Sequence, residues 1–342
     1  MTATTGNGRA LPPDIRAAAH PLLSVVIPCF NEEQVIALTH QALIEHLGGR
    51  DDFDLEVVYV NDGSRDGTEG ILLSLAETDP RVLLVSLSRN FGHQPAVSAG
   101  LDHAGGNIVA VIDADLQDPP AVIVDMIALW RQGHDVVYGV RAKRKESAFH
   151  RFAYAAFYRI YQRMAEIDVP VDSGDFALMD RRVVDAINRL PEKSRFLRGL
   201  RAWVGFRQIG LVYERAARAA GETKYPLSKL VRLAMDGILN FSTAPLALIS
   251  TLGMVTAAGA AIASVVFLMN KTTGLSVFGM TFDWIPGFTA QILTSLFLGG
   301  VQLLSIGIVG QYIGRIYHEA KQRPPYVVRL VHRPAPSTRD RA

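Results

Sequence analysis

The 342-residue sequence contains one cysteine, Cys29, which excludes an internal disulfide framework. It has no excess of charge of either sign. The 35 Lys and Arg against 33 Asp and Glu leave a net charge of +2, and nothing global favours nucleic acid as a partner. Residues 1–20, rich in Gly, Ala, Thr and Pro, lack the apolar region of a secretory signal, so the following two hundred residues are expected to stay in the cytoplasm. No internal repeat is visible. Two stretches lack charge altogether, Phe241–Asn270 and Gly287–Gly314. Each exceeds the ~20 apolar residues that cross a bilayer as a helix, and core helices of soluble domains are rarely so long and so free of charge. Gln291, Gln302 and Gln311 in the second stretch would face a neighbouring helix. Lys224, Lys229 and Arg232 precede the first stretch, and Arg315, Lys321 and Arg323 follow the second, while the loop between carries only Lys271 and Asp283. This bias predicts a two-span hairpin with both termini cytoplasmic.

The most informative stretch runs from Val109 to Pro120. An apolar run, Ile108–Ile112, stops at Asp113, followed by Ala114, Asp115, Leu116 and Gln117. Short β-branched runs read as buried strands, and alternation along extended chain puts Asp113, Asp115 and Gln117 on one side. Three oxygen side chains at a strand end suit a hard divalent cation, which takes one or two carboxylates plus substrate phosphates. The plainer alternative is a turn whose aspartates cap the helix opened by Pro119 and Pro120.

Other strands are expected at Leu22–Pro28, Leu55–Val60, Val82–Leu87 and Asp135–Val140, with another beginning near Val171. Helix-length segments separate the first five, which predicts an α/β, doubly wound, mostly parallel sheet with its polar loops gathered on one carboxyl edge. Asn31 is placed to cap the helix after the first strand. Further helices are expected at Arg181–Arg189 and Lys193–Trp203. In residues 227–241, Leu227, Leu230, Ala234, Ile238 and Phe241 form one apolar stripe opposite Ser228, Arg232, Asp236 and Asn240. A basic amphipathic helix ahead of a membrane span fits the headgroup plane; the alternative is a surface helix of the soluble domain. The tail after Lys321 reads as extended and basic. The expected divisions are a lead at 1–20, a catalytic domain at 21–220, a juxtamembrane helix at 221–243, a hairpin at 244–320 with spans near 244–269 and 287–313, and a tail at 321–342.

Six segments in order carry a resemblance: Ser24–Glu32, Val60–Thr68, Leu87–Gly92, Asp113–Pro120, Ser173–Phe176 and Gly221–Pro226. Together with the hairpin they resemble the family 2 glycosyltransferases that act on polyprenyl phosphates, such as dolichol-phosphate mannose synthases and bacterial undecaprenyl-phosphate (bactoprenol) glucosyltransferases. Phe30 and Thr223 stand where that family commonly has tyrosine and serine. The resemblance implies a GT-A fold, with Pro28, Glu32 and Asp62 at the nucleoside and Asp113, Ala114, Asp115 and Gln117 at a metal (Mg2+ or Mn2+) and the sugar-nucleotide diphosphate. It aligns Asp175 with the residue proposed as catalytic base in relatives; a group orienting acceptor or sugar is an equal reading.

The implied reaction is inverting transfer of a sugar, UDP-glucose being the favoured donor, to the phosphate of undecaprenyl phosphate. A phosphate monoester has its second pKa near ~6, so the nucleophile needs little help from a base. An anionic acceptor needs cations. Arg141, Arg151, Arg218 and Lys224 are the candidates, with Arg144 and Arg195 behind them. The implied setting is the inner (cytoplasmic) membrane, multi-pass, as a homo-oligomer of the tetrameric kind. A processive polysaccharide synthase is the competing enzyme, because Arg198-Gly-Leu-Arg201-Ala-Trp203 nearly matches the synthase motif. Two spans, however, cannot enclose a translocation pore. A non-catalytic scaffold on the same fold is the remaining alternative.

Overall fold

A computed structural model describes residues 20–141, 173–193, 195–215, 244–273 and 287–333. They fall into two compact units, a sheet unit that includes residues 324–333 and a helical unit that ends at Arg323. The expected lead at 1–19, the interfacial helix at 221–243, and Arg144, Arg151, Arg218 and Lys224 lie outside the described residues.

The sheet unit runs β1 (Leu22–Cys29), α1 (Ile36–Leu47), β2 (Asp54–Asn61), α2 (Thr68–Thr78), β3 (Val82–Leu87), α3 (His93–His103), β4 (Ile108–Val111), α4 (Ala121–Arg131) and β5 (Val136–Arg141). After residue 172 it continues with β6 (Ser173–Asp180), α5 (Arg181–Asn188), α6 (Leu197–Trp203), β7 (Gln208–Tyr213) and finally β8 (Val328–His332). The eight strands form one sheet in the order β7-β5-β6-β4-β1-β2-β3-β8. Only β6 and β8 run against the rest.

The strands read as continuous apolar runs because helices cover both faces. Val25 and Ile27 of β1 enter one core, with Leu43, Leu72 and Trp130 from α1, α2 and α4. Val26 points the other way, into a core with Val97 and Leu101 of α3 and Val183 of α5. The sheet is close enough to α3 that a Cβ added at Gly100 would land on Val26 Cγ1. Gly100→Leu should therefore overpack the core and cost about 3 kcal/mol. The check is a lower thermal midpoint of the purified protein; an unchanged midpoint would refute the close packing.

Three local expectations need correction. Asn31 does not cap α1, which begins at Ile36 without a side-chain cap. Asn31 instead sits in the left-handed region (φ 57°) and accepts the backbone N–H of Arg65 through Oδ1 at 2.9 Å. The helix expected from Lys193 starts at Leu197. The tail read as merely extended is β8, an antiparallel edge strand on β3, with Val85 opposite Val331 and Leu84 opposite His332. Its docking is reinforced by the Tyr326 hydroxyl on Asp102 and by an Arg329–Glu69 ion pair.

The helical unit contains α7 (Ala244–Thr273) and α8 (Gly287–Ala320). Within α8, Phe297–Ala320 is long and apolar enough to cross a membrane, with a mean hydropathy of 1.4. Large apolar side chains stand exposed along both helices, among them Met254, Ile262, Phe297, Leu303 and Ile316.

Candidate active site

The carboxyl ends of β1, β2 and β4 and the loops after them meet at one edge. The loops after β1 and β2 are stitched together. Glu32 N–H donates to Thr68 Oγ1 (2.8 Å), Asn31 N–H to Ser64 Oγ (3.1 Å), and Gly67 N–H to Glu33 Oε2 (2.7 Å). Pro28 lies within β1, one residue before its end, and Glu32 belongs to the loop that this stitching holds.

Asp62 follows β2 and is buried. Its two oxygens accept the backbone N–H groups of Phe91 (2.7 Å) and Gly92 (2.9 Å). Burial raises its carboxyl pKa, and these two hydrogen bonds oppose the rise. In this geometry the carboxylate holds the β3–α3 loop, in addition to whatever it offers a ligand. Asp62→Ala would strand two loop N–H groups, a cost of about 2 kcal/mol. It would also release the loop that carries His93. The expected result is a lower thermal midpoint together with weaker donor binding; weaker binding at an unchanged midpoint would make Asp62 purely a ligand contact.

Asp113 follows β4, its side chain about a third exposed. Ala114 is buried and its carbonyl accepts Thr39 Oγ1 at 2.6 Å, which pins the turn. Leu116 takes a left-handed φ of 56°, and Asp115 Oδ1 accepts Gln117 N–H at 3.2 Å. β4 ends at Val111, so Asp113, Asp115 and Gln117 sit on a turn and do not alternate along extended chain as expected. Burial raises the Asp113 pKa, and the neighbouring Asp175, Asp118 and Asp115 add to that against His93. A site that disfavours a lone anion in this way attracts a cation. Among the described residues no group of three His, Cys, Asp or Glu side chains could hold a metal. Mg2+ commonly takes only one or two carboxylates together with substrate phosphates, which is fewer protein donors than such a group supplies.

Asp175, on β6, is brought close to that edge. His93 Nε2 lies 3.1 Å from Asp175 Oδ2 and 3.9 Å from Asp113 Oδ1. Gln94 Nε2 donates to Oδ2 at 3.0 Å, and Arg198 Nε donates to Oδ1 at 2.8 Å. Burial alone would raise the Asp175 pKa, but His93 and Arg198 outweigh it and hold the carboxyl far below the usual carboxylate range.

Of the expected phosphate-binding cations, Arg141 is at this edge, at the end of β5 and near Gly174. It hydrogen-bonds Tyr213, whose hydroxyl also donates to the buried Asp118. Arg215 Nε lies 3.4 Å from Asp118 Oδ1, a second cation that sequence reasoning missed. Arg195 is elsewhere. Its Nη2 reaches the carbonyls of Leu190 (3.1 Å), Ile187 and Asn188 (both 3.4 Å) at the end of α5. His93, Gln94 and Tyr213 were also missed, and Arg198 and Arg201 were read only as a near match to a synthase motif. The one available signal was Arg198-x-x-Arg201, whose spacing puts both on one helical face.

The mixed sheet gathers carboxylates at the carboxyl ends of its strands with cations beside them, an arrangement suited to phosphorylated ligands. Residues 24–187 match the profile of glycosyl transferase family 2. The chain is 47% identical over 310 residues to YkcC, an uncharacterised glycosyltransferase of Bacillus subtilis, covering 90% of this chain and 94% of that one. It is 40% identical over 317 residues to the SfII prophage-derived bactoprenol glucosyl transferase of Shigella flexneri, covering 92% and 99%. A solved mannosyltransferase from Pyrobaculum calidifontis, in complex with GDP-Man and Mn2+, aligns over 75% of this chain and 82% of its own with a TM-score of 0.42 and 21% identity. The chain belongs to glycosyl transferase family 2 and is a glycosyltransferase that uses a nucleotide-sugar.

Proposed function

We propose that this enzyme transfers glucose from UDP-glucose, with inversion, to the phosphate of undecaprenyl phosphate at the inner membrane surface. The observation that carries this reading is 40% identity, over nearly the full length of both chains, to a relative named bactoprenol glucosyl transferase. The apolar span in α8 and the exposed apolar side chains of α7 support a membrane-embedded hairpin with a cytoplasmic catalytic unit. A homo-oligomer, a tetramer in particular, belongs to the same reading.

In this mechanism Pro28, Glu32 and Asp62 border the nucleoside, and Asp113, Asp115 and Gln117 would hold Mg2+ or Mn2+. A divalent cation there supplies Lewis-acid stabilisation of the departing diphosphate. Ala114, packed under the turn, keeps the aspartates facing the ligand. An acceptor oxygen, already anionic at neutral pH, attacks the anomeric carbon from the face opposite the nucleotide. Arg141, joined by Arg151, Arg218 and Lys224, offsets the acceptor charge and aims that oxygen.

The test is a panel of UDP- and GDP-sugars, each labelled in the sugar, incubated with the protein and undecaprenyl phosphate. Butanol-extractable, acid-labile label from UDP-glucose is the expected result. Label in insoluble polymer would replace this reading with a synthase, and label from another donor would change the sugar. Replacing Arg218 and Lys224 together should raise KM for the lipid at least tenfold more than KM for the donor. An equal rise in both would remove their acceptor role.

A further inference from the structure

Beneath the active edge lies a charged cluster that the reaction as described does not use. The short helix α6 turns Arg198 and Arg201, three residues apart, toward β6. Arg198 grips Asp175 with both arms of its fork, Nε to Oδ1 at 2.8 Å and Nη2 to Oδ2 at 3.4 Å. Arg201 is 3% exposed, its guanidinium 5.2 Å from the Tyr138 ring centroid. Its Nε and Nη2 are buried with no hydrogen-bond partner among the described residues. Beside it is a cavity of about 20 Å³, lined by Asp175, Arg198 and Arg201 and by apolar groups such as Val97 and Met179. Such a volume admits one water molecule, given polar partners to hold it. Arg201 offers two unused donors, and Asp175 Oδ1 accepts only Arg198 Nε among the described residues.

We infer that Arg198 and Arg201 are positioning residues for the transfer, Arg198 directly and Arg201 through one buried water. Together they make Asp175 a fixed anchor for His93 and Gln94 rather than a group that accepts a proton. A carboxylate has about four lone-pair sites. His93 and Gln94 occupy Oδ2, Arg198 bridges both oxygens, and the water completes Oδ1. A catalytic base must keep a lone pair for the substrate proton. With that water in place every one would face a donor. The depressed pKa of Asp175 accords with this, and Arg201, lowered by burial only to about 10, keeps its charge at neutral pH. The cluster also joins separate elements, because Gln94 Oε1 accepts Leu197 N–H at 2.9 Å. It thereby ties the start of α3 and the start of α6 to β6, with His93 set against Asp113.

This inference rests on the proposed transfer reaction, and its test separates the two. Full-length protein in lipid nanodiscs is assayed for butanol-extractable glucose. Arg198→Ala should lower kcat at least about thirtyfold with less than a threefold change in donor KM, and guanidinium ion at about 30 mM should restore part of the loss. Arg201→Met, close in volume, should lower kcat about tenfold without lowering the thermal midpoint, whereas a merely structural arginine would leave kcat unchanged. Asp175→Asn combined with Arg198→Ala should be no slower than the worse single variant, since the pair acts as one unit. A high-resolution experimental structure should place one water between Arg201 and Asp175, absent in Arg201→Met. Threefold or smaller effects on kcat, additive losses, failure of rescue or an empty cavity would each overturn the inference. If the wild type labels no lipid, the acceptor assignment falls, and the buried water still decides the anchor.

Discussion

Asp115→Ala is expected to abolish formation of the glucosylated lipid, a loss on the order of a thousandfold or more in kcat. Asp115 sits on a partly exposed turn, so the variant should fold and insert in the membrane as the wild type does. Adding EDTA to the wild type should reproduce the loss, and restoring Mg2+ or Mn2+ should reverse it. The physical reason lies in Asp113, where burial first, and then neighbouring carboxylates, raise the cost of negative charge before any diphosphate arrives. Two anions brought together at that edge need a counter-charge. Retention of more than a tenth of wild-type turnover by Asp115→Ala, or indifference to EDTA, would show that the three side chains do not serve a cation.

Asp118→Ala should have the next largest effect, on stability and activity together. Asp118 is 1% exposed, and it receives the Tyr213 hydroxyl and faces Arg215. Removing it leaves a partly exposed cation and a buried hydroxyl without their shared acceptor, a change that costs about 3 kcal/mol. Arg141 shares Tyr213 with this network and would lose its fixed aim. The expected measurement is a thermal midpoint lowered by roughly 10 °C and a raised KM for the lipid acceptor. Tyr213→Phe, which removes only one hydrogen bond, should cost about 1 kcal/mol. Equal stability of Asp118→Ala and wild type would show that the carboxylate is solvated instead of locked in the core.

What was legible in the sequence follows from burial. β1, β2 and β4 have both faces covered, so their apolar runs stand out. The abrupt arrival of Asp113 after such a run marked the carboxyl edge of the sheet. β8 was not legible because Val328–His332 is a half-covered edge strand interrupted by Arg329, and its partner β3 lies some 240 residues earlier in the chain. Asn31 looked like a cap from its neighbours alone. Its real contacts come from the loop after β2. The surroundings of Asp175 were hidden for the same reason, since His93, Gln94 and Arg198 belong to other segments of the chain. Spacing reports neighbours in a helix or strand, whereas this cluster exists only once the sheet has formed.

β8 also constrains how the molecule is made. Translation is vectorial, and nearly all of the sheet has left the ribosome before α7 and α8 are synthesised. Until Val328–His332 appear, the outer edge of β3 is an open template able to recruit a strand from a neighbouring nascent chain. Maturation of the catalytic unit is thus timed by completion of the apolar helices, and a ribosome that stalls within them would release a chain competent to aggregate but not to finish its own sheet.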